Sequence, residues 1–418
     1  MLGGSLSDIE FSPCFLMNFI TFIMQLPNNS IQKINEDSFL LTLPVSLQQC
    51  PNCNNMTSNI HSYRNQPLKD IHFISSGHCL IYRKRRYICT HCSKTFAEAN
   101  SFLSKYQRMS KSTIAAIIKD HGYLTSSTDI ANRYKVSVTT VQRLFRSITA
   151  SSPMLSAVIS IDEFKGNAGA KFQVVINDLT THTCLNIIED RSPDILYAKI
   201  LEYPLAERLK VRHVSIDLSP SFKKLVQECF PNAAIAADKF HTVRLANDAL
   251  DTDRKEIQAT LPDWQRKYFK HSRYLLLSRA ENLKTDEDRL ALQIMLNYSD
   301  KLSAAYALKE CYFNIMNSKD SKEFVTRLTQ FQLAVERQGL KSFHKLLNTT
   351  IKWKSEIIHA ISTGYNNGFT EGCNTTIKNL KRICYSFRNF NNFKQRILFL
   401  LNNPDRQCNR KHQLITEI

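Results

Sequence analysis

The 418-residue sequence predicts an α/β protein in which two small modules precede a five-stranded sheet and a long helical segment follows it. Three observations predict this arrangement. Two Cys-x-x-Cys pairs occur in the first hundred residues, helical patterns fill 101–150, and short β-rich runs begin at residue 157. Because the strands come first in a row and then alternate with helices, we expect a sheet of the α/β class.

The composition indicates a globular protein with a polyanionic partner. Apolar residues make up 43% of the chain, which excludes a disordered chain, and its length excludes a small disulfide-bonded scaffold. The 55 Lys and Arg residues exceed the 37 Asp and Glu residues, so the formal net charge is +18. This excess favours binding to nucleic acid or to an anionic surface, and charge alone does not choose between DNA, RNA and membrane.

Residues 1–49 have no clear hydrophobic period and are assigned as an N-terminal arm. Their most apolar stretch, 11–26, is shorter than the roughly 20 residues that a membrane-spanning helix needs. Asp8 and Glu10 stand where a signal peptide has basic residues. We therefore interpret the stretch as a buried helix or an irregular arm, and expect a cytoplasmic chain without a membrane partner.

Four of the twelve cysteines form two tight pairs, Cys50 with Cys53 and Cys89 with Cys92, in a segment assigned as 50–98. Each Cys-x-x-Cys turn aims two thiolates at one point, and two such turns complete the tetrahedral ligand set of a structural Zn²⁺. Two chance pairs of core cysteines and a redox site are the alternatives. Other side chains that could replace a thiolate are His61, His72, His78, Cys79 and His91.

A basic run lies in a strand-like stretch, 80–88, between the two cysteine pairs. Its members are Arg83, Lys84, Arg85 and Arg86. Beside a zinc-binding module, such a run is a candidate contact for DNA phosphates. A solvated strand edge is the simpler alternative.

Residues 101–150 are predicted to form three short helices, the last two as a helix-turn-helix. Apolar positions recur at helical spacing on both sides of a break at 135–137, and Ser137 is a favourable N-cap for the last helix. A recognition helix reads the major groove with polar residues near its N-terminus. The outward-facing candidates for DNA contact are Thr139, Thr140, Gln142, Arg143 and Arg146. Lys135 replaces the usual turn glycine, and a plain helical hairpin is the alternative.

The remainder of the chain predicts one sheet followed by helices. The β-rich runs are 157–161, 172–176, 184–188, 211–216 and 233–237. Helical patterns at 193–201 and 222–229 separate the third run from the fourth and the fourth from the fifth. Residues 243–360 are helical in pattern, and 370–400 read as one or two basic helices.

Two of the β-rich runs end in the same string, Ser-Ile-Asp, which places Asp162 and Asp217 at strand ends. Continuous apolar runs suit strands that are buried on both faces. Glu371 is expected in the first turn of a helix that Thr370 or a neighbour caps. Three carboxylates from separate segments can hold two Mg²⁺ ions, although an acid at a strand end is often only part of a turn.

These segments resemble, in type and order, bacterial insertion-sequence transposases of the DDE type, in the family called "ISL three". The resemblance runs from about Cys50 to Leu400. It rests on the cysteine pairs, the two Ser-Ile-Asp strings and the string Ala237-Asp238-Lys-Phe240-His241. Its most specific block is Asn367-Gly-x-x-Glu371-Gly-x-Asn374-x-x-Ile377-Lys378, followed by Phe387-Arg388-Asn389-Phe390. The family often has Gly before that Phe-Arg, where this sequence has Ser386.

The resemblance implies an RNase H-like domain with a mixed five-stranded sheet at 155–242, completed by the last helices at 361–400. Residues 243–360 then form a helical insertion, and 401–418 form a basic tail. Asp162, Asp217 and Glu371 match the family's catalytic triad and would bind two Mg²⁺ or Mn²⁺ ions. The residues expected to support this site are Asp238, His241 and Asn374.

The activity that the resemblance implies is DNA transposition. The protein would bind the terminal inverted repeats of an insertion sequence, hydrolyse the strand at each end to free a 3′-OH, and join that hydroxyl to target DNA. We expect double-stranded DNA as partner, a homo-oligomer at least during synapsis, and association with the bacterial nucleoid. The alternatives are a zinc-binding, helix-turn-helix regulator that does not cut DNA, and a decayed transposase that only binds it.

The positive charge lies mainly in the segments assigned to DNA. Residues 50–98 carry 7 basic and 2 acidic side chains, 101–150 carry 8 and 2, and 371–418 carry 9 and 3. These segments account for nearly all of the net charge of +18. In the last of them, the side chains expected to hold phosphates near the metal ions are Lys378, Lys381, Arg382 and Arg388. A solvated basic helix face is the alternative for this group.

Overall fold

The computed structural model describes residues 26–27, 30–104, 106–148, 154–166 and 168–405. The chain divides into two compact units, 1–150 and 151–418. Most of the apolar stretch at 11–26 and the basic tail beyond residue 405 lie outside the described residues. The helical patterns predicted for 101–150 lie in unit 1, and the β-rich runs predicted from residue 157 lie in unit 2.

Unit 1 contains a five-stranded sheet, a two-stranded ladder and one short helix before the three helices described below. Its first elements are β1 (Ile31–Asn35), β2 (Ser38–Leu41), β3 (Gln48–Gln49), β4 (Met56–Thr57), β5 (Ile60–Leu68), α1 (Ile71–Ser75), β6 (Cys79–Ile88) and β7 (Thr95–Ala97). The sheet order is β1-β2-β6-β5, with β7 also paired to β6, and β3 pairs with β4. The basic strand predicted at 80–88 is therefore confirmed and lies inside the sheet.

Residues 31–41 belong to this sheet, although the sequence shows no period there. β2 runs parallel to β6, with Phe39 opposite Leu80 and Leu41 opposite Tyr82, and all four side chains are buried. β1 reads Ile-Gln-Lys-Ile-Asn and β2 reads Ser-Phe-Leu-Leu, so neither shows the alternation of apolar and polar residues that indicates a strand.

The three predicted helices are confirmed as α2 (Lys111–Asp120), α3 (Ser127–Arg133) and α4 (Val138–Arg146). Each begins after a serine whose side chain accepts a hydrogen bond from a backbone N–H of the first turn, namely Ser110, Ser126 and Ser137. Their shared core contains Ile117, Ile130, Ala131, Tyr134 and Val141.

Unit 2 is built around a second five-stranded sheet. Its strands are β8 (Val158–Lys165), β9 (Phe172–Asp178), β10 (Thr183–Ile188), β11 (His213–Ile216) and β12 (Ala234–Ala237), so all five predicted runs are strands. The order is β10-β9-β8-β11-β12. β9 is antiparallel to both β10 and β8, whereas β8, β11 and β12 are parallel. The sheet is therefore mixed, as expected.

Three helices connect the last three strands along the chain, two of them between β10 and β11 and one between β11 and β12. They are α5 (Pro193–Leu201), α6 (Leu205–Arg208) and α7 (Pro220–Cys229). The helix predicted at 222–229 begins two residues earlier, because the Ser219 side chain accepts a hydrogen bond from the Phe222 N–H and Pro220 suits the first turn.

Eight helices follow β12 before the last two. They are α8 (Lys239–Ala259), α9 (Asp263–His271), α10 (Arg273–Leu277), α11 (Asp286–Asn297), α12 (Asp300–Met316), α13 (Ser321–Gln338), α14 (Lys341–Lys352) and α15 (Lys354–Thr363). The chain then forms α16 (Gly368–Ile383) and α17 (Phe390–Leu401). The helical pattern predicted for 243–360 is confirmed.

The sheet of unit 2 is covered on both faces. Ile159, Ile161 and Val174 pack into one core with the connecting helices and the eight-helix segment. Phe164 and Val175, which point to the opposite face, pack with α16 and α17 in a second core. α16 is therefore held directly against the strand that carries Asp162.

Candidate functional site

Four thiol sulfur atoms converge in unit 1. The Sγ atoms of Cys50 and Cys92 lie 3.6 Å apart, and those of Cys53 and Cys89 lie 3.5 Å apart. All four lie within 4.8 Å of one another, and the described residues contain no other such group of three or more metal-ligating side chains. Zn–S bonds of about 2.3 Å in a tetrahedron separate the sulfurs by about 3.8 Å, so this spacing fits Zn²⁺.

The two cysteine turns have the same backbone geometry. In each, the N–H of the first cysteine donates to the carbonyl five residues later, and the N–H four residues later donates to that cysteine's carbonyl, at 2.9–3.0 Å. The residues at this fourth position, Asn54 and Ser93, both adopt a left-handed backbone, with φ of 60° and 57°. Backbone hydrogen bonding from Lys94 helps lower the pKa of Cys92 to about 6, which favours the thiolate that a metal binds.

The basic run on β6 divides into exposed and buried residues. Arg83 is exposed, with its guanidinium 4.4 Å from the centre of the Tyr63 ring, and Arg86 is exposed beside Thr95. Lys84 is half-buried. Arg85 is only 4% exposed and pairs with the buried carboxylate of Glu98 at 3.4 Å. The prediction that Arg85 contacts DNA is wrong, because its guanidinium holds Glu98 and the carbonyls of residues 43 and 44.

The helix-turn-helix turn has a strained residue where many such turns have glycine. Lys135 has φ of 50°, a left-handed conformation that favours glycine. The Lys69 side chain donates a hydrogen bond to the Lys135 carbonyl, and the Val136 N–H donates to the Ala131 carbonyl at 2.9 Å. The lysine therefore serves the turn through its backbone, and the departure from the usual glycine does not open the turn.

The outward face of α4 is largely as predicted. Thr139, Gln142, Arg143 and Arg146 are exposed, and Val141 and Phe145 are buried on the opposite side. Thr140 is only half-buried and its hydroxyl lies 2.9 Å from the hydroxyl of the N-cap Ser137. The polar residues of this helix thus line a surface from which bases and phosphates could be contacted.

In unit 2, three aspartates lie side by side across the sheet. The two Ser-Ile-Asp strings are in register: Ser215 pairs with Ser160 and Ile216 with Ile161. Because β11 and β8 are parallel, Asp217 and Asp162 fall at the same level of the sheet, and the backbones of such neighbouring strands lie about 4.8 Å apart. Ala237 pairs with Ile216, so Asp238 continues the row onto β12.

A histidine lies against this row. The Nδ1–H of His241 donates to the Asp238 carboxylate at 2.7 Å, and the Asp238 side chain also accepts a hydrogen bond from the Phe240 N–H at the start of α8. The hydrogen bond to Asp238 and the charges of Asp238, Asp162 and Asp217 raise the pKa of His241, although partial burial opposes this effect. The predicted supporting residues Asp238 and His241 are therefore next to two of the predicted triad.

Burial makes ionisation of the triad costly in the metal-free protein. Burial raises the pKa of Asp162 to about 6, and the charges of Asp217 and Asp238 add to this effect, while the Glu163 N–H and His241 oppose it. Burial likewise raises the pKa of Asp217 and of Glu371. Three carboxyl groups that bind protons more tightly than usual form a site that a divalent cation would stabilise.

One face of α16 completes the site. Asn374 donates its Nδ2 to the Asp162 carboxylate at 2.9 Å, so its Oδ1 faces away from that acid. This Oδ1, one carboxylate oxygen of Glu371, and both polar atoms of the Asn367 side chain are buried without a hydrogen-bond partner among the described residues. Positions 367, 371 and 374 share one helix face. Buried polar atoms without partners are costly, and an ordered metal shell or a substrate phosphate would satisfy them.

A buried network holds α16 to the sheet beneath the acids. The Oγ atoms of Ser160 and Thr370 lie 2.6 Å apart, and the Asn177 Nδ2 donates to the Thr370 Oγ1 at 3.1 Å. All three side chains are fully buried. Thr370 does not cap the helix, since the N-cap residue is Asn367. The network instead places Glu371, the next residue, above β8.

Basic side chains continue along α16 beyond the acids. Lys378 and Arg382 are exposed, as is Arg388 after the helix. Lys381 is half-buried and donates to the carbonyl of Lys165, and burial together with the charges of Lys165 and Lys378 lowers the pKa of Lys381. Lys165, Lys378 and Lys381 therefore form a cluster. Lys165 follows Asp162 on β8, and the other two follow Glu371 on α16.

Sequence reasoning missed several residues that the structure places at the site. Lys165 follows Asp162 by three positions, but a single lysine at a strand end carries no signal. Thr370 and Asn177 become visible only when the helix and the sheet meet. The repeated Ser-Ile-Asp string did point to Ser160. Asp178 and Asp190 accept hydrogen bonds from backbone N–H groups two or three residues later, so they serve turns.

The chain thus combines a cysteine centre, a helix-turn-helix and a sheet with aligned carboxylates. A family model described as "Transposase" matches residues 159–397. Two further models, for the "zinc-finger of transposase IS204/IS1001/IS1096/IS1165" and the "Helix-turn-helix domain of transposase family ISL3", match 46–92 and 98–149. The chain belongs to the ISL3 family of transposases.

Two curated relatives carry related names. The chain is 22% identical over 361 residues to the transposase for insertion sequence element IS1001 of Bordetella parapertussis, covering 84% of this chain and 88% of that protein. It is 28% identical over 207 residues to the transposase for IS1557 of Mycobacterium tuberculosis, covering 44% and 46%. A 104-residue match, 33% identical, to a Lactococcus lactis protein named ATP-dependent protease covers only 25% of this chain and assigns no family.

The match to the zinc-finger model and the four-cysteine cluster together support a structural zinc ion. Among the described residues, none of the helices is both long enough and apolar enough to cross a bilayer.

Proposed function

We propose that this protein binds the terminal inverted repeats of an insertion sequence and catalyses metal-dependent DNA cleavage and strand transfer, in an RNase H-like domain. The observation that carries the proposal is the row of Asp162 and Asp217 on registered parallel strands, with Glu371 held above it. The mixed five-stranded sheet supports the RNase H-like assignment.

We propose that Asp162, Asp217 and Glu371 hold two Mg²⁺ or Mn²⁺ ions. Their raised pKa values and the unpartnered oxygen of Glu371 fit oxygen-preferring divalent cations. When bound, such ions lower the pKa of an attacking water or hydroxyl and neutralise charge at the phosphorus.

The chain's own groups orient this centre. Asn374 fixes the rotamer of Asp162 through its hydrogen bond, and the Ser160–Thr370–Asn177 network fixes the first turn of α16. Asp238 holds His241 with its Nδ1 protonated, which leaves the other ring nitrogen, Nε2, for a proton or a phosphate oxygen. Lys378, Lys381, Arg382 and Arg388 bind the phosphates that flank the scissile bond.

We propose that unit 1 reads the DNA ends. The zinc-binding module, 50–98, offers Arg83, Lys84 and Arg86 to phosphates, and the helix-turn-helix, 101–150, offers the exposed face of α4 to the major groove. The catalytic domain comprises 155–242 and 361–400, with 243–360 inserted between them. Synapsis of two ends requires a homo-oligomer, and the enzyme works on DNA in the nucleoid.

The test supplies a pre-cleaved end duplex, Mg²⁺ and a target plasmid to the full chain. The wild type is expected to join the end to the plasmid, and Glu371→Gln and Asp162→Asn are expected to bind the end but lower joining at least 1000-fold, because each removes a metal ligand. Asp178→Asn, which changes an acid of a turn, should join normally.

Equal joining by the wild type and Glu371→Gln would overturn the proposed chemistry. A wild-type chain that binds end DNA but neither cuts nor joins it would instead indicate the alternative, a DNA-binding regulator or a decayed transposase.

A further inference from the structure

Helix α14 carries a basic face that the proposed function does not use. The exposed side of the helix lines a shallow groove of about 570 Å³, formed by Lys341, His344, Lys345, Asn348, Thr349 and Lys352. The opposite side, which includes Phe343, Leu346 and Leu347, is buried in the core of unit 2. The apolar residues therefore fix the helix, and the basic residues are free of any packing role.

The charges of α14 differ from those of its neighbours. Several helices of the insertion pair their charges one turn apart, as in Arg254–Asp251, Arg266–Asp263, Arg289–Asp286 and Arg327–Glu323. α14 contains no acidic residue. Within the part of the chain that the structure describes, the ion pairs include none of its three lysines.

This arrangement costs the helix stability unless a polyanion is bound. Lys341 and Lys345 are one turn apart, and like charges at that spacing destabilise a helix by a few tenths of a kcal/mol. A ligand with regularly spaced negative charges would reverse this repulsion. Lys341 and Lys352 are eleven residues apart, or about 16 Å along the helix, which is the length of about five base pairs of B-DNA.

We infer that this face of α14 binds the phosphate backbone of the DNA duplex whose end occupies the acidic centre. The inference rests on the proposed function and gives the helical insertion a role as a DNA anchor. Contacts with phosphates alone carry no sequence information, so the anchor would act on any end that unit 1 has selected.

The chain limits how far this anchor can be from the acids. Lys352 and Glu371 are connected by α15, two short links and the first turn of α16, which together span at most about 45 Å. A duplex that extends about 13 base pairs from the cleaved end covers that distance. Protection of the backbone by α14 is therefore expected within about 15 base pairs of the end.

The test compares two triple variants of the full chain that change the net charge equally. The first is Lys341→Gln, Lys345→Gln and Lys352→Gln. The control is Lys267→Gln, Lys284→Gln and Lys319→Gln, three exposed lysines on different segments of the insertion. Affinity for a 40-base-pair end duplex is measured from low to high salt, with hydroxyl-radical footprinting and the joining assay on the same samples.

We expect the α14 variant to bind DNA at least about tenfold more weakly at physiological salt. The slope of log K against log salt concentration should be shallower by about 2.7, because each lost phosphate contact contributes about 0.9 to that slope. Its footprint should lose protection near the end, and joining should fall in parallel. The control should match the wild type in all three measurements, and both variants should melt at the wild-type temperature.

Equal salt slopes for the two variants would overturn the inference. So would a loss of joining by the α14 variant at unchanged DNA affinity, which would indicate a protein partner such as a second copy of the chain. In either case wild-type joining shows that the proposed function stands, whereas a wild type that does not join ends would overturn the proposed function itself.

Discussion

The cysteine centre of unit 1 and the acidic centre of unit 2 both gather side chains around one point, but they do so by different means. Each cysteine turn delivers two ligands from residues three apart, and four sulfurs lie within 4.8 Å of one another. The three acids stand at 162, 217 and 371 and do not form such a tight group among the described residues. Local backbone geometry closes the first centre, whereas strand register and a buried hydroxyl pair assemble the second.

The largest expected effect comes from removing a ligand of the cysteine centre. Cys89→Ser removes one thiolate and leaves three, so zinc content should fall from about one equivalent per chain to a small fraction of that, and unit 1 should lose its cooperative melting transition. Binding to end DNA should be lost with it. The measurements are metal analysis of purified protein, calorimetry and a DNA-binding titration.

Cys79→Ser is the matched control, because Cys79 is exposed on β6 and lies outside the cluster. If Cys89→Ser kept a full equivalent of zinc and its melting transition, the four cysteines would not be the zinc ligands.

Removing a charged ligand from the acidic centre should stabilise the fold, whereas removing a thiolate from the cysteine centre should destabilise it. The pKa of Asp162 is raised to about 6 mainly by burial, whereas an unfolded aspartate titrates near 3.9, so the protonated carboxyl stabilises the metal-free fold below about pH 4. This contribution is lost as the pH rises through 6. At pH 8 the free energy of unfolding of Asp162→Asn should therefore exceed that of the wild type by up to about 3 kcal/mol, and the variant should lose activity.

Urea titrations of the metal-free protein at pH 4 and pH 8 test this sign, with Asp178→Asn, which changes an acid of a turn, as the control variant. A variant Asp162→Asn that is less stable than the wild type at pH 8 would contradict the conclusion that burial makes the Asp162 carboxylate costly to ionise.

The hydroxyl pair beneath the acids is the next most sensitive feature. Thr370→Val keeps the shape of the side chain but leaves Ser160 and Asn177 buried without their shared partner, at about 1–3 kcal/mol for each group left unpaired. We expect joining to fall about 10- to 100-fold, because a loosely held Glu371 is misplaced. Thr370→Ser, which restores the hydroxyl, should recover most of the activity.

The comparison of Thr370→Val with Thr370→Ser separates positioning from bulk packing. Full joining by Thr370→Val together with a loss in Thr370→Ser would show that the methyl group matters and the hydroxyl does not.

The smallest effect is expected in the helix-turn-helix turn, where a local backbone conformation can be improved. Lys135→Gly should stabilise unit 1 by about 1 kcal/mol, because glycine adopts a positive φ without the strain of a side chain. The Lys69 hydrogen bond goes to the backbone carbonyl and is kept. In contrast, Ala115→Gly in the exposed part of α2 should destabilise by about 1 kcal/mol. Thermal melts of both variants check the two signs, and destabilisation by Lys135→Gly would show that the lysine side chain itself holds the turn.

Much of the fold was predictable where the signal is local. The five strands of unit 2, the three helices of 101–150 and the N-cap at Ser137 follow from short patterns of apolar and capping residues. β1 and β2 were not predictable, because neither has an alternating or continuous apolar pattern and β2 is fixed by its pairing with β6. Arg85 was misassigned for a similar reason: its partner Glu98 lies 13 residues away, on the far side of a cysteine turn.

The site divides in the same way. The repeated Ser-Ile-Asp string indicated two carboxylates at strand ends. Asp217 does follow β11, but for Asp162 the prediction is wrong, because β8 continues to Lys165 through its pairing with β9. The sequence could not show that Asn374 bonds Asp162 or that Thr370 meets Ser160, because those pairs are 212 and 210 residues apart. Contacts over such separations depend on how the helical insertion folds, and no local pattern encodes that.

The separation between Ser160 and Thr370 has a consequence for translation. The ribosome completes the DNA-reading unit, and the first two acids, long before it adds the residues of α16. On the proposed function, a nascent or prematurely terminated chain can occupy an inverted repeat but has no cutting centre. On the same proposal, such fragments would compete with the finished enzyme for the same ends, and incomplete synthesis would lower transposition without cutting the host chromosome.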